Sequence, residues 1–515
     1  MTISEPSISI SVLPANESIS TGPQRVLFVG QMKTGTASDG VLVENVGNEG
    51  EEDTLFGANS MLAGAIRAFR AINKITRVDV IPLTDASGTN ASGTVAFTGP
   101  STEIGTLYVT VGSYTNHRYT IDVTSGMSAT QVGDALVAAI TADTNAPFTA
   151  VNTTGSVAIT YAHDGLEGNH TNLRVEGTVA GIGVTVTGFA SGATQPASLT
   201  SSIWTQIATD RYQTIVWPTS YTRSLVLDDL LDDRWNVTND VLDGVAVQTI
   251  IDTKANIITA ADALNSQSGW LIGAKKITDT YWKGNCYQEF GYVVSAQAAA
   301  IRSLRLTEGA DISDYVITNT GSLDIYGGPA IASLPYFNTP LNNLPVIPVG
   351  KGFTPSEIEE LQDAGVSVFG NNRTRTKVIM GEQVTLYKTD SAGNAETTFK
   401  NLEAVDTAST VREYMFNNYK AQYSQSRLTT GDLFPNRNMA NKKSIEGFSD
   451  KLYSDLAGPD YVLLQNGETA RRFFKANRSV TINLATGRAT LSFKAPIVTQ
   501  LRELVAAMQI TFSVA

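Results

Sequence analysis

Apolar residues along this chain fall into two rhythms, short unbroken runs and recurrences every three or four positions, and the two alternate. Residues 25–30 form a run suited to a buried strand. Leu62, Ile66, Phe69 and Ile72 mark one helical face within 61–73, and residues 77–82 form a second run. Together these make a βαβ unit. The same rhythm resumes with strands at 212–218, 244–249 and 270–273, helices at 224–235, 255–265 and 293–306, and a strand at 346–348. The stretch from Thr354 to Lys388 is the most legible. Thr354 suits an N-cap, Pro355 the first helical position, and Glu357 completes a capping box. Ile358 and Leu361 form the apolar face, Gly365 a left-handed stop, and residues 366–369 a buried strand. Gly381-Glu382 then predicts a two-residue hairpin joining 377–380 to 383–388. Helices and strands alternating at this length predict an α/β core with a mainly parallel sheet covered on both faces.

Two segments break that rhythm. From residue 85 to 196 the composition shifts to Gly, Thr, Ser and Val. Short alternating strands appear at 93–97, 106–111, 119–123, 156–161 and 183–187, with one helix at 128–141 carrying Val132, Leu136 and Ile140. This reads as an inserted, mostly-β domain, placed outside the core because surface loops tolerate insertions. After residue 388 helices are predicted at 408–427 (stripe Val411, Met415, Tyr419, Tyr423), 442–456, 468–475 and 497–508, the last with Ile497, Leu501, Leu504, Val505 and Met508 on one face. A strand is predicted at 461–464, and 479–484 with 489–493 bracket a turn at Thr486-Gly487. The resulting plan is an N-terminal arm (1–24), a core in two parts (25–84 and 197–388) around the insertion (85–196), an α+β C-terminal domain (389–495), and a C-terminal helix and strand arm (496–515).

The extreme ends alternate strictly: Ile8, Ile10 and Val12 within 7–12, and Ile510, Phe512 and Val514 within 510–514. Unpaired strands of that kind invite association with another chain. Donated arms extend a neighbour's sheet, and head-to-tail contacts that do not close build helical filaments.

At 515 residues the chain predicts roughly three or four domains of about 150 residues. A net charge of −12 argues against direct nucleic-acid binding, which needs a basic footprint. Residues 437–502 nevertheless hold 11 basic and 5 acidic residues, about +6 against about −18 for the remainder, a face suited to an acidic partner. Arg471, Arg472 and Lys475 share one short predicted helix there. No apolar run approaches the roughly 18 residues of a membrane span, so no membrane insertion is expected. The N-terminus has no basic region followed by an apolar run, so a soluble protein made in a cytoplasm is expected.

No catalytic constellation emerges. Phosphate-loop and nucleophile-elbow motifs are absent from the sequence, and Gly30-Gln31-Met32-Lys33-Thr34-Gly35 only faintly echoes a phosphate site. His117, His163 and His170 read as exposed loop residues, Asp228, Asp229, Asp232 and Asp233 as a solvated helix face, and Cys286 as a packed thiol. The expectation is a non-enzyme without cofactor or metal.

The chain resembles contractile-tail sheath proteins, in particular the Mu-like phage tail sheath family. The resemblance rests on Phe56-Gly57-Ala58-Asn59-Ser60-Met61-Leu62-Ala63, Val80-Ile81-Pro82-Leu83, Gly93-Thr94-Val95-Ala96-Phe97-Thr98-Gly99, Tyr212-Gln213-Thr214-Ile215-Val216-Trp217-Pro218, Asp233-Arg234-Trp235, the Thr354-Pro355 helix and Val498-Thr499-Gln500-Leu501-Arg502. These are collinear over nearly the whole chain. The resemblance implies a core similar to a subtilisin-like topology without catalytic residues. It implies a subunit of stacked six-membered rings around an inner tail tube, with baseplate and tail terminator proteins as further partners, in a virion tail assembled in a bacterial cytoplasm. Contraction would drive the tube through the host envelope. The sheath of a bacteriocin particle or secretion machine shares this physics, and a tail surface or adhesion protein is the alternative of another class. The C-terminal part is more polar than the family pattern, which leaves the role of the helix at 442–456 open.

Overall fold

The computed structural model describes residues 23–85, 87–112, 117–194, 199, 201–223, 225–235, 241–277, 289–313, 326–434 and 437–500. The arm residues Ile8, Ile10, Val12, Ile510, Phe512 and Val514, and also Cys286, lie outside the described residues.

In chain order, β1 (Arg25–Gln31), α1 (Glu51–Phe56), α2 (Met61–Arg70) and β2 (Arg77–Leu83) open the core. Next come β3 (Asn90–Thr98), β4 (Gly105–Val111), β5 (Arg118–Val123), α3 (Ala129–Ala142), β6 (Phe148–Thr153), β7 (Ser156–Asp164), β8 (Leu173–Glu176) and β9 (Gly183–Ala190). The core resumes with α4 (Ser201–Trp204), β10 (Thr214–Val216), α5 (Leu225–Asp233), β11 (Val245–Asp252), α6 (Lys254–Asp262) and β12 (Gly269–Lys275). It continues through α7 (Gly291–Leu306), α8 (Pro355–Asp363), β13 (Val366–Asn371) and β14 (Val378–Met380). The C-terminal part holds α9 (Leu402–Tyr423), β15 (Arg427–Leu428), β16 (Met439–Ala440), α10 (Lys442–Leu456), α11 (Glu468–Ala476), β17 (Ser479–Asn483) and β18 (Arg488–Ser492).

Among the described residues the core sheet has seven strands in the order β14-β13-β12-β11-β10-β1-β2, all parallel except β14. Its strands are unbroken apolar runs because both faces are covered. Val26 and Phe28 point, with Val78, Val80, Val247 and Trp270, toward the layer of α2 and α7. Leu27, Val29, Ile81 and Ile215 pack instead with Trp204, Leu227 and Leu231 of α4 and α5. Leu271, Val366 and Val368 close the same face against Ile257, Ala261 and Leu361 of α6 and α8. Residues 90–190 form two further sheets, β6-β7-β3-β9 and β5-β4-β8, around Val132, Leu136 and Ile140 of α3. Strands β6 and β8 carry no sequence signal: β6 buries only Phe148 fully and exposes Val151, and β8 is four residues with Arg174 inside it.

The capping box at Thr354 and Glu357 forms as expected, and Gly365 follows at φ +82°, where a side chain would also meet the backbone of Thr385. The turn after it differs. β14 folds back antiparallel on β13, not onto 383–388. The Asn372 side chain closes the connecting loop by accepting the Thr376 and Lys377 N–H groups, and Gly381 N–H still reaches Val368 O. Residues 346–348 are not a strand: the Asn371 side chain pairs both backbone groups of Ile347. Residues 461–464 are not one either, because Val462 turns to φ +49° and leaves a single bridge, Leu464 to Ile497. That bridge also keeps 497–500 out of a helix, and the rest of the helix expected at 497–508 lies outside the described residues. Helix α9 starts at Leu402, six residues before the expected start at 408.

Those extra turns of α9 carry a buried ionic joint. Arg302 of α7 donates from Nε and Nη2 to Asp406 Oδ1 at 3.0 and 2.6 Å, while its Nη1 reaches Gln213 O and Thr214 Oγ1. The Tyr336 hydroxyl donates to the other Asp406 oxygen at 2.6 Å. One turn on, Asp243 accepts from Arg211, Arg412 and Ser409, and Arg211 also pairs with Glu413 at 2.7 Å. The opposing carboxylates hold the Arg211 pKa above its usual value despite burial, which by itself lowers it. Removing one partner of such a pair strands a buried charge, at about 3–5 kcal/mol. Asp406→Ala is therefore expected to lower the unfolding free energy by about that much, whereas Arg302→Met combined with Asp406→Leu should recover most of it. Urea unfolding measures both, and a single-variant loss under about 1 kcal/mol would contradict burial of the pair.

Candidate functional site

In a doubly wound sheet the ligand crevice lies where successive strands part to opposite sides, outside their C-terminal ends. Here that point is between β1, which leads to β2, and β10, which leads to β11. The N-terminus of the helix packed against β1, here α2, is the usual anion seat there. The space left among Gly30, Gln31, Met61, Trp217, Ser220 and Tyr292 is about 20 Å³, room for about one water molecule and no more.

Side chains from the ends of β1 and β2 and from the inserted segment bond to the residues that line it. Ser60 caps α2 by accepting the Ala63 N–H at 3.0 Å, and the Met61 N–H donates to His163 Nε2 at 2.9 Å. That contact fixes the tautomer: His163 Nδ1–H donates to Asp85 Oδ1 at 2.9 Å. Asp85 also takes Lys33 Nζ at 2.6 Å, Gln31 Nε2 at 3.0 Å and the Asp164 N–H at 3.3 Å, tying the two ends of β7 and β2 together. Lys33 is thus neutralised rather than aimed at a phosphate. Burial lowers the His163 pKa, with the Asp85 hydrogen bond opposing it. The Asp85 pKa is lowered although burial, its largest influence, acts upward; His163 and Lys33 outweigh it. Glu167 enters beside Thr219, and burial pushes its carboxyl up to about 7. Burial pushes His170 down to about 4.

Two expectations about these groups are corrected. His163 is fully buried, His117 is buried with Nδ1 3.0 Å from Asp143 Oδ2, and His170 ends a short 3-10 helix half-buried, so none of the three is an exposed loop residue. His163 takes an inward position of β7, whose burial alternates, and His117 lies in the bend before β5, edge-on to Phe148. Asp228 is likewise fully buried, accepting Arg223 Nη2 and Nε at 2.6 and 3.1 Å, and burial pushes Asp232 up to about 6. Each follows a leucine, Leu227 or Leu231, that faces the sheet; Asp229 and Asp233 stay exposed. Among the described residues there is no group of three or more His, Cys, Asp or Glu side chains placed to hold a metal ion, and no helix is long and apolar enough to cross a membrane.

The C-terminal part presents surface instead of a crevice. Arg471, Arg472 and Lys475 stand exposed on α11, whose Phe474 is buried against Tyr453. Arg472 pairs with Glu468 one turn back, and Lys475 Nζ lies 3.8 Å from Asp450. Beside them β17 and β18 make a five-residue antiparallel hairpin. Val480, Ile482 and Leu491 turn to Ala440, Ile445, Tyr423 and Leu428, while Thr481 and Thr490 face out. Among the described residues no backbone group pairs with the outer edge of either strand. A two-stranded ribbon is marginal alone, and open edges accept further strands. The hairpin was legible in the sequence; its open edges were not.

The His163 contact has a pH signature. Its folded-state pKa lies below the unfolded value of 6.5, so the unfolded chain binds more protons between the two. The stability it contributes is full above pH 6.5 and is lost as pH falls from there through the folded pKa. His163→Gln removes this titration, so the stability advantage of the parent over the variant should shrink from pH 7.5 to pH 5. Denaturant midpoints across that range measure it, and a constant difference would contradict a neutral buried imidazole.

No protein-family model matches the chain. Over 264 residues it is 30% identical to the Mu-like prophage FluMu tail sheath protein of Haemophilus influenzae, covering 50% of this chain and 53% of the relative. The match thus spans about half the length of that relative. The structure aligns with the sheath tail protein of Listeria innocua over 93% of both chains, with a TM-score of 0.45 and 12% identity. It aligns with the helical sheath of the anti-feeding prophage in its contracted state over 99% of both chains, with a TM-score of 0.45 and 10% identity. Over half of its length, then, the chain is similar in sequence to a Mu-like prophage tail sheath protein.

Proposed function

We propose that this protein is the structural subunit of a contractile phage tail sheath. It polymerises as stacked hexameric rings around an inner tail tube, between baseplate and tail terminator proteins, and contracts to drive the tube through the host envelope. The virion tail is its location, assembled in the bacterial cytoplasm, and the α/β core belongs to the subtilisin-like topology of the family without its chemistry. The sequence relationship supports the class. The observation that carries the mechanism is the β17–β18 hairpin, with two outer edges that pair with no described backbone group.

The arms match those edges. Each arm offers about five residues of backbone pairing and three alternate apolar side chains, Ile8, Ile10 and Val12 or Ile510, Phe512 and Val514, which would extend the inner face made by Val480, Ile482 and Leu491. Burial contributes roughly 1.5–3 kcal/mol per side chain. That is too little for a stable dimer against the cost of association, yet enough where many copies act together. Removing residues 1–14, or ending the chain at Met508, should leave a folded monomer that forms no tubes by negative-stain electron microscopy, and Ile10→Pro should mimic the first deletion by losing a ladder bond. Normal tubes from either shortened chain would place the linkage elsewhere. Amorphous aggregates or lone monomers from the full chain would favour the surface or adhesion class.

The basic patch is assigned to the tube. Contacts between exposed charges contribute only about 0–1 kcal/mol per pair, so repetition makes them decisive for assembly and leaves each easy to release. Reversing Arg471 and Lys475 to Glu should impair assembly on tubes more than self-assembly, as sedimentation with and without tube protein reports. Equal loss in both would refute the assignment.

A further inference from the structure

An apolar groove of about 390 Å³ runs beside the antiparallel edge of the core sheet. Phe369, Ile379 and Met380 are among its lining, with Pro335, Phe337 and Ile358, and Phe337 is 55% exposed. An open apolar surface of this size at a sheet edge calls for a partner.

The course of the chain says which one. Gln465 N–H donates to Pro496 O at 2.8 Å and Val498 N–H to Leu463 O at 3.0 Å, steering the last described residues along the C-terminal part. The Gln500 side chain then donates to Ser333 O at 2.8 Å. Ser333 stands two residues before Pro335 of the groove lining, so residue 501 follows directly on a residue anchored beside that end of the groove. The next eight residues are Leu501-Arg502-Glu503-Leu504-Val505-Ala506-Ala507-Met508. Leu501, Leu504, Val505 and Met508 recur at i, i+3, i+4 and i+7, one apolar face of a helix, with Arg502 and Glu503 away from it. An amphipathic helix laid in a groove by such anchors is a common docking mode.

We propose that residues 501–508 of the same chain seat in this groove, with Leu501, Leu504, Val505 and Met508 against Phe337, Ile358 and Ile379. The tether decides between this segment and that of another copy. A segment starting a few residues away acts at an effective concentration in the millimolar range, which a free copy at micromolar concentration does not reach. The seat stands independently of strand donation, since it concerns residues before Ile510.

The test uses the full chain carrying Cys286→Ser and Gln362→Cys, with either Val505→Cys on the apolar face or Glu503→Cys opposite it. Under mild oxidation of the dilute protein, the 362/505 pair should form an intrachain disulfide, seen as a faster-migrating monomer, about tenfold faster than the 362/503 pair, because a disulfide tolerates only a narrow separation. Equal rates would overturn the seating, and crosslinked dimers would show that the groove holds another copy's segment. A second measurement avoids cysteines: ending the chain at Gln500 should raise amide exchange at Phe337 and residues 379–381 several-fold. Unchanged exchange there would also overturn the proposal.

Discussion

The joint between α7 and α9 is the constraint on which this architecture depends. Arg302 cannot be left charged in a buried environment without Asp406, and Asp406 sits on a helix that otherwise belongs to the C-terminal part. A buried pair of this kind adds little net stability, because desolvation offsets the attraction, but breaking it is costly. Its effect is therefore on geometry. It fixes the direction in which α9 leaves the core, and with it the position of α10, α11 and the hairpin that pack on the far half of that helix. Val411, Tyr414 and Met415 share one buried cluster with Leu452, Tyr453 and Phe474, so the docking of the core end sets the placement of the exposed end.

The same economy governs the other end of the sheet. A doubly wound sheet leaves a polar helix N-terminus and two splayed strand ends at its switch point, and those groups must be satisfied. In a nucleotide-binding protein a phosphate does it. Here His163, Asp85, Lys33 and Glu167 do it from within the chain. The inserted β segment is thereby attached through the crevice as well as through its two connections. The crevice is held by a structural lock made of the chain's own side chains.

Much of the layer plan was legible without coordinates, for identifiable reasons. The capping box at Thr354, the left-handed Gly365, the helix at Lys442–Leu456 and the hairpin turn at Gly487 are local events, decided by residues within one or two turns of each other. The run at residues 26–29 of β1 is apolar on both faces, which marks it as a parallel-sheet strand before any partner is known. The turn at Gly381 was misjudged because the Asn372 loop competes for the same strand, and the histidines were misjudged because a polar side chain gives no sign of which face will bury it.

By itself, then, the sequence determined the elements whose stability is local and the alternation that makes an α/β core. It also located the basic segment, since charge is read residue by residue. Only the tertiary structure decided which polar groups meet. Arg302 and Asp406 are 104 residues apart, and Met61 and His163 are 102 apart. Such pairs have no periodicity and no local propensity; each exists because folding removes both partners from water at once and leaves each to be satisfied by polar groups far away in the chain.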